Sequence, residues 1–156
     1  MEGQMDKNSF EDVIDFAIDK EQEAVDFYNE LARRSQNKPQ MREIFTQFAN
    51  EETAHKTRLQ GIKRGWRPSP SGHDNIMNLK IIDYMVEGDP LMEMDYQRAL
   101  IGAMKREKAA FRLYTDLAAR TADIDTKNLF LALAQDEARH KLRFEVEYDD
   151  VILREN

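Results

Sequence analysis

The sequence predicts an all-α protein, built as a four-helix bundle with a long crossover between the second and third helices. Four long segments carry apolar residues at alternating spacings of three and four, which is the period of one helix face. Glycine and proline are rare, with 6 and 4 residues, and the apolar–polar alternation typical of a strand is missing. The 156 residues suffice for a sizeable core, so we expect a single domain over residues 1–156.

The first predicted helix spans about residues 10–35 and begins at a capping box that starts with Ser9. The second helix begins after a polar break, because Pro39 suits the first turn of a helix. It runs to about residue 64, where Gly65 is expected to end it. Helices of this size are roughly 40 Å long at about 1.5 Å per residue.

The crossover spans about residues 65–94 and differs in composition from the rest of the chain. Its first part is rich in the turn formers Pro, Ser and Gly, and only about residues 78–87 are predicted to form a short helix. A connection of this length can cross a whole bundle, so the second and third helices need not be antiparallel neighbours. His73 has no matching acid here and is expected to be an exposed loop residue.

The third helix is predicted at about residues 96–121, and the fourth runs to about residue 152. Asp95 is expected to cap the third helix, because an aspartate directly before a helix accepts hydrogen bonds from its first backbone N–H groups. Either Asp123 or Asp125 is expected to cap the fourth helix in the same way.

An internal repeat relates the two halves of the chain. The first helix matches the third at a shift of 86 residues, and the second matches the fourth at a shift of 85. The simplest arrangement is two helix–helix units in tandem. The matched pairs include Ala17 and Ala103, Glu21 and Glu107, Ala24 and Ala110, Tyr28 and Tyr114, Leu31 and Leu117, Phe45 and Phe130, Ala49 and Ala134, Glu52 and Glu137, and His55 and His140.

Six of these repeated residues carry metal-binding groups on otherwise apolar stripes. Each Glu-x-x-His motif places a carboxylate and an imidazole on one helix face. Buried carboxylates without compensation cost several kcal/mol each, whereas two divalent cations would balance four of them and leave the imidazoles as neutral nitrogen ligands. The sequence therefore predicts a two-metal site with the ligands Glu21, Glu52, His55, Glu107, Glu137 and His140.

The chemistry of this ligand set favours iron. Four carboxylates and two imidazoles form an oxygen-rich set without thiolates, which suits iron or manganese. Bridging glutamates would hold two ions roughly 3.5–4 Å apart, with positions open for O2, peroxide or water. We expect two iron ions as the cofactor, with manganese or zinc as substitutes.

Two further carboxylates compete for these roles. Glu51 and Asp136 lie four residues before the two histidines, but the stripe spacing favours Glu52 and Glu137 as ligands. Glu51 and Asp136 then become candidate hydrogen-bond partners of the metal-bound imidazoles.

Two tyrosines follow the single glutamates by one heptad. Tyr28 and Tyr114 are either core aromatics whose hydroxyl groups find a partner or residues that act beside the metals. The sequence leaves both interpretations open.

Composition excludes several other functions. The net charge of −7 and the pI of about 5.1 argue against nucleic acid or an anionic membrane surface as partner. The absence of cysteine excludes disulfides, thiolate zinc sites and iron–sulfur centres within this sequence. No apolar run approaches the roughly 20 residues that span a bilayer, and the first residues lack the pattern of a signal peptide. A cytoplasmic location is expected.

The motifs in their order resemble the rubrerythrin family of the ferritin-like superfamily. The resemblance covers essentially the whole chain and rests on the runs Glu21 to Tyr28, Glu52 to His55, Glu107 to Tyr114 and Glu137 to His140. It implies a ferritin-like, non-haem di-iron bundle that reduces hydrogen peroxide or oxidises iron(II) with peroxide or O2, often as a homodimer.

Two departures from rubrerythrins are visible. Rubrerythrins carry a rubredoxin domain that delivers electrons, so this cysteine-free chain would need an external donor, rubredoxin-like or other, or iron(II) itself. They also carry an additional glutamate on the third helix, and Ala110 occupies that place here. With Ala24 at the equivalent place, the site is expected to be more symmetric.

Three alternative functions remain open from the sequence. The chain could bind, carry or store iron without turnover, although only 16 residues follow His140 and leave no fifth helix of a ferritin cage. It could oxidise an organic substrate, which requires an apolar pocket beside the metals. The metals, zinc among them, could also serve structure alone.

Overall fold

The computed structural model describes residues 10–65, 79–86 and 94–155. Within these ranges the chain forms four long α-helices and one short 3-10 helix, and no strand. The predicted all-α class is confirmed. The helices are α1 (Phe10–Arg34), α2 (Pro39–Gly65), the 3-10 helix (Ile81–Tyr84), α3 (Tyr96–Arg120) and α4 (Ile124–Glu155).

The helix ends agree closely with the expected ones. Helices α1, α2 and α3 end within about one residue of the expected positions, whereas α4 continues to Glu155, three residues beyond. Asp95 caps α3, because its carboxylate accepts a hydrogen bond from the Arg98 N–H at 2.8 Å. The Ser9 cap, the loop with His73 and most of the crossover lie outside the described residues.

Asp123, rather than Asp125, caps α4. Its Oδ2 accepts hydrogen bonds from the Thr126 N–H at 2.9 Å and from the Thr126 hydroxyl at 2.8 Å. Asp125 lies inside the first turn of the helix, where its negative charge faces the positive end of the helix dipole. The sequence could not separate the two, because both positions suit an acidic residue.

The first compact unit contains α1 and α2, joined by a short turn. The Ser35 hydroxyl donates to the Leu31 carbonyl at 2.7 Å, and the Lys38 N–H donates to the Ser35 carbonyl at 3.0 Å. These bonds satisfy backbone groups where α1 ends, so that α2 can begin at once. The core of this unit includes the fully buried side chains of Ile14, Ala17, Leu31, Phe45 and Leu59.

The second compact unit contains the 3-10 helix, α3 and α4. Tyr84 attaches the 3-10 helix to α3, since its hydroxyl donates to Asp116 Oδ2 at 2.6 Å and its ring lies 5.8 Å from the Arg112 guanidinium. Burial, reinforced by the Asp116 carboxylate, raises the pKa of Tyr84. The core of the unit includes Leu100, Leu117, Phe130, Leu133 and Phe144. That the whole chain acts as a single domain stays a prediction.

Candidate metal centre

Helices α1 and α2 bring three predicted ligands together. Glu21 lies in the middle of α1, and Glu52 and His55 lie one turn apart on α2. His55 Nδ1 is 3.5 Å from Glu21 Oε2 and 3.7 Å from Glu52 Oε1. One ligand atom from each of the three residues lies within 4.8 Å of the other two. We call this group the first triad.

Helices α3 and α4 bring together the three residues that correspond to these in the repeat. His140 Nδ1 lies 3.8 Å from Glu107 Oε1, and Glu137 stands one turn before His140 on α4. One ligand atom from each of the three residues again lies within 4.8 Å of the other two. This second triad has the same donor groups as the first, two carboxylates and one imidazole.

All six residues are buried, with exposed fractions of 2% or less. The repeat explains why they lie where they do. Glu21 follows the fully buried Ala17 by four residues, and Glu107 follows the fully buried Ala103 in the same way. Residues four apart lie on one helix face, so each carboxylate faces the same side as its apolar stripe.

The donor set fits a metal ion. Two atoms bound to one ion at about 2.1 Å are separated by about 3 Å when adjacent and about 4.2 Å when opposite. The distances of 3.5, 3.7 and 3.8 Å between imidazole nitrogens and carboxylate oxygens fall inside this interval. Two buried carboxylates close together repel each other, and a divalent cation is the partner that removes this repulsion. Each triad can therefore hold a metal ion.

On α2 and on α4, the structure distinguishes between the two neighbouring carboxylates that the sequence offered as ligands. Glu52 and Glu137 belong to the triads and are 1% exposed, whereas Glu51 and Asp136 are half-buried beside them. Asp136 forms an ion pair with Arg139 on its own helix at 3.6 Å. Glu52 and Glu137 are thus the carboxylates that lie with the histidines, and their role as ligands stays a prediction.

Tyr28 and Tyr114 are buried among aromatic rings, each with an exposed fraction of 1%. The Tyr28 ring meets the Phe48 ring edge-on, with centroids 6.0 Å apart. The Tyr114 ring stacks on the Phe130 ring, with centroids 6.4 Å apart and planes inclined by 12°. These contacts fit the interpretation as core aromatics, and a role beside the metals stays a prediction.

A second buried polar pair escaped the sequence analysis. Glu147, one heptad after His140, is 4% exposed and accepts a hydrogen bond from the Tyr96 hydroxyl at 2.6 Å. The repeat contained a signal for it, because the equivalent positions in the first half hold the apolar residues Phe10 and Ile62.

A family model described as Rubrerythrin matches residues 12–148, which include both triads. No curated protein and no solved structure matches the chain at a significant level. The match agrees with the family that the motifs resemble, and the predicted ferritin-like four-helix fold class is confirmed with it. None of the helices within the described residues is long and apolar enough to cross a membrane.

Proposed function

Because this chain belongs to the rubrerythrin family, we propose that its two triads hold two iron ions that react with hydrogen peroxide or O2. The family is one of di-iron proteins, and the buried glutamates and histidines can hold metal ions. The observation that carries the proposal is the repeated triad, in which two carboxylates and an imidazole meet in the protein interior. A structural role alone gives no reason to bury this set twice.

The donor groups define what the protein contributes. Iron, when bound, supplies the electrons that reduce peroxide or O2. The four glutamates would balance its positive charge, and they would stabilise the more highly charged oxidised ion more strongly than the reduced one. In both histidines Nδ1 is the nitrogen that faces the carboxylates, so Nδ1 would be the donor atom to a bound metal ion.

Burial of the six candidate ligands is the second contribution of the protein to the site. The six residues are at most 2% exposed, which keeps bulk water away from the donor atoms and would strengthen each electrostatic interaction with a bound cation. Small oxidants such as hydrogen peroxide and O2 need little space to reach such a site.

The reduction of peroxide or O2 also needs a source of electrons. The 156 residues contain no cysteine, so they hold no four-thiolate iron site that could act as an internal donor. We propose a separate donor, rubredoxin-like or other, or iron(II) supplied as a substrate. With iron(II) as the only electron source, the reaction is a ferroxidation, and the role of the protein is then iron handling.

The test begins with the metal content of protein purified without added metal or chelator. We expect about two iron ions per chain, and we expect rapid oxidation when hydrogen peroxide is added to the iron(II) form under argon. Repeating the addition with a reductant in excess separates the alternatives. Many turnovers indicate a peroxidase, and one stoichiometric oxidation indicates iron binding or storage. Zinc alone, or no metal after incubation with iron(II), would refute the proposal.

A further inference from the structure

Helices α1 and α3 occupy matched places in the repeat, yet they carry opposite net charge. Phe10–Arg34 contains 3 basic and 8 acidic residues, which gives a net charge of −5. Tyr96–Arg120 contains 6 basic and 2 acidic residues, which gives +4. Helix α3 is thus basic in a chain whose net charge is −7. The shared fold and the shared candidate ligands do not require this reversal, because both halves have them.

The reversal is concentrated on one exposed face of α3, which we call the basic stripe. Its members lie at spacings of seven, three and four residues, which keeps them on one side of the helix. All four are exposed. At a shift of 86 residues, three of them correspond to aspartates and one to a glutamine. The stripe consists of Arg98, Lys105, Lys108 and Arg112, and the counterparts on α1 are Asp12, Asp19, Gln22 and Asp26.

An apolar groove of about 470 Å³ lies beside the basic stripe, between α3 and α4. Phe111 forms its α3 side and is 39% exposed, while Ala138 and Leu142 form its α4 side. Their counterparts in the first half are the smaller or polar residues Val25, Thr53 and Thr57. An apolar floor beside charged side chains is the composition of a protein interface.

Two lysines, Lys108 and Lys141, border the groove from different helices. In the first half the counterpart of Lys141 is Lys56, whose Nζ donates a hydrogen bond to Gln22 Oε1 on the neighbouring helix at 2.8 Å. Lys108 stands in place of that glutamine, and Lys141 contacts Glu145 of its own helix, which also borders the groove. Because like charges repel, the second half replaces a stabilising contact with a concentration of positive charge. Such a replacement is expected where a surface binds a negatively charged partner.

The groove lies next to the second triad. Each candidate ligand of that triad is followed in the chain by a residue that lines the groove, namely Lys108 after Glu107, Ala138 after Glu137 and Lys141 after His140. A molecule in the groove is therefore separated from the triad by about one helix diameter, roughly 10 Å.

We propose that the basic stripe and the groove, together the α3–α4 face, bind an acidic electron-carrier protein that inserts an apolar side chain beside Phe111. The positive charge of the face selects a negative partner, and the groove accepts an apolar anchor. The place beside the triad is the one that a donor needs, because electron transfer slows steeply with distance. This docking rests on the proposed function, which requires electrons that no thiolate-bound iron within the 156 residues can supply.

The exchange of carriers follows from the reaction. Reduction of one molecule of hydrogen peroxide to two of water takes two electrons and two protons. A carrier that gives up one electron in each encounter is therefore used twice per turnover, and each oxidised carrier has to leave before the next one binds. Charges at the rim of an interface suit this exchange, because they accelerate association more than they prolong the complex.

Titration with flavodoxin, an acidic flavin-carrying protein, tests the docking without any metal. We expect binding to the chain as purified at low ionic strength, and weaker binding as salt screens the charges. Lys141→Glu should raise the dissociation constant on the order of tenfold. The control Lys56→Glu makes the same change in net charge at the matched position and should leave it unchanged. Phe111→Ala should also raise it on the order of tenfold, and its control Val25→Ala should not.

Reduction of the iron-loaded protein tests delivery of the electrons. With reduced flavodoxin below its dissociation constant, Lys141→Glu should slow reduction of the oxidised protein on the order of tenfold. Oxidation of the iron(II) form by hydrogen peroxide, a neutral molecule, should keep its rate. A chain that binds flavodoxin with the expected differences between variants but holds no iron would support the docking and refute the proposed function.

Three results would overturn the docking while the proposed function stands. The first is no binding of flavodoxin at low ionic strength by a chain that holds iron and reacts with peroxide. The second is equal weakening by Lys141→Glu and Lys56→Glu. The third is self-association of the chain that excludes flavodoxin and is lost in Lys141→Glu, since a second copy would then cover the face.

Discussion

His55 Nδ1 lies 3.5 Å from Glu21 Oε2, although the two residues are 34 positions apart in the chain and lie on two different helices. The relationship recurs in the second half, where His140 Nδ1 lies 3.8 Å from Glu107 Oε1. In both cases a glutamate without a histidine on its own helix meets the histidine of the next helix. Packing of two stripes against each other thus assembles each triad.

Removal of one triad carboxylate should release metal without unfolding the protein. In Glu137→Ala the second triad loses a ligand, and the loss of a buried anion also relieves repulsion, so the helices are expected to remain formed. We expect at least one ion fewer per chain by elemental analysis, with an unchanged helical circular dichroism spectrum. Glu23→Ala, on an exposed position of α1, is the control. A Glu137→Ala protein that kept both ions would refute the ligand assignment.

Removal of both ions should lower the stability of the chain. A ligand that binds only the folded state stabilises it by about 2.7 kcal/mol at a free concentration one hundred times its dissociation constant. Without the ions, the carboxylates of each triad repel each other in the interior. We expect a lower midpoint of thermal unfolding after chelation, with recovery when iron(II) is returned. An unchanged midpoint would show that the triads do not bind metal tightly.

The Tyr96–Glu147 pair should contribute to stability independently of the metals. Tyr96→Phe removes a 2.6 Å hydrogen bond to a buried carboxylate, and bonds to charged groups contribute about 1.5–3 kcal/mol. Denaturant unfolding of the metal-free protein measures this loss. Tyr148→Phe is the matched control, because the Tyr148 hydroxyl meets Gln97 only at 3.5 Å in a half-buried place. Equal losses in both variants would contradict the assignment.

The start of α4 should respond to pH through Asp123. Hydrogen bonds from the Thr126 backbone and side chain lower the pKa of Asp123, so the charged form is favoured in the folded state. The cap therefore contributes its full stability above the ordinary aspartate pKa of 3.8 and loses it as the pH falls below that value. Asp123→Ala should lower the unfolding midpoint at pH 7 and have little effect near pH 2. Asp125→Ala, which removes no cap, should lower it less at pH 7.

Most of the local architecture was predictable from the chain alone. The spacing of apolar residues placed four helices to within about three residues, because the helical period is a property of local backbone geometry. Asp95 and Pro39 marked helix starts for equally local reasons. The choice between Asp123 and Asp125 needed the structure, because cap geometry depends on backbone angles that sequence spacing does not specify.

In the candidate site, too, some features follow from spacing within one helix and others depend on packing between helices. That Glu52 and His55 share a face follows from their separation of three residues on one helix. That Glu21 approaches the same imidazole, at 3.5 Å, depends on how far α1 is shifted along α2, and therefore on packing. Glu147 escaped notice because its partner Tyr96 lies 51 residues away, so that only the comparison of the two repeats, and no local spacing, points to it.

Chain order and periodicity alone thus established the all-α class, the repeat, and the six residues with metal-binding groups. Tertiary packing decided which imidazole nitrogen faces the carboxylates and which apolar side chains of α4 stay exposed. The physical reason is the range of the interactions. Helix formation and side-chain facing are set within about four residues, whereas contact distances and exposure depend on residues brought together from distant parts of the chain.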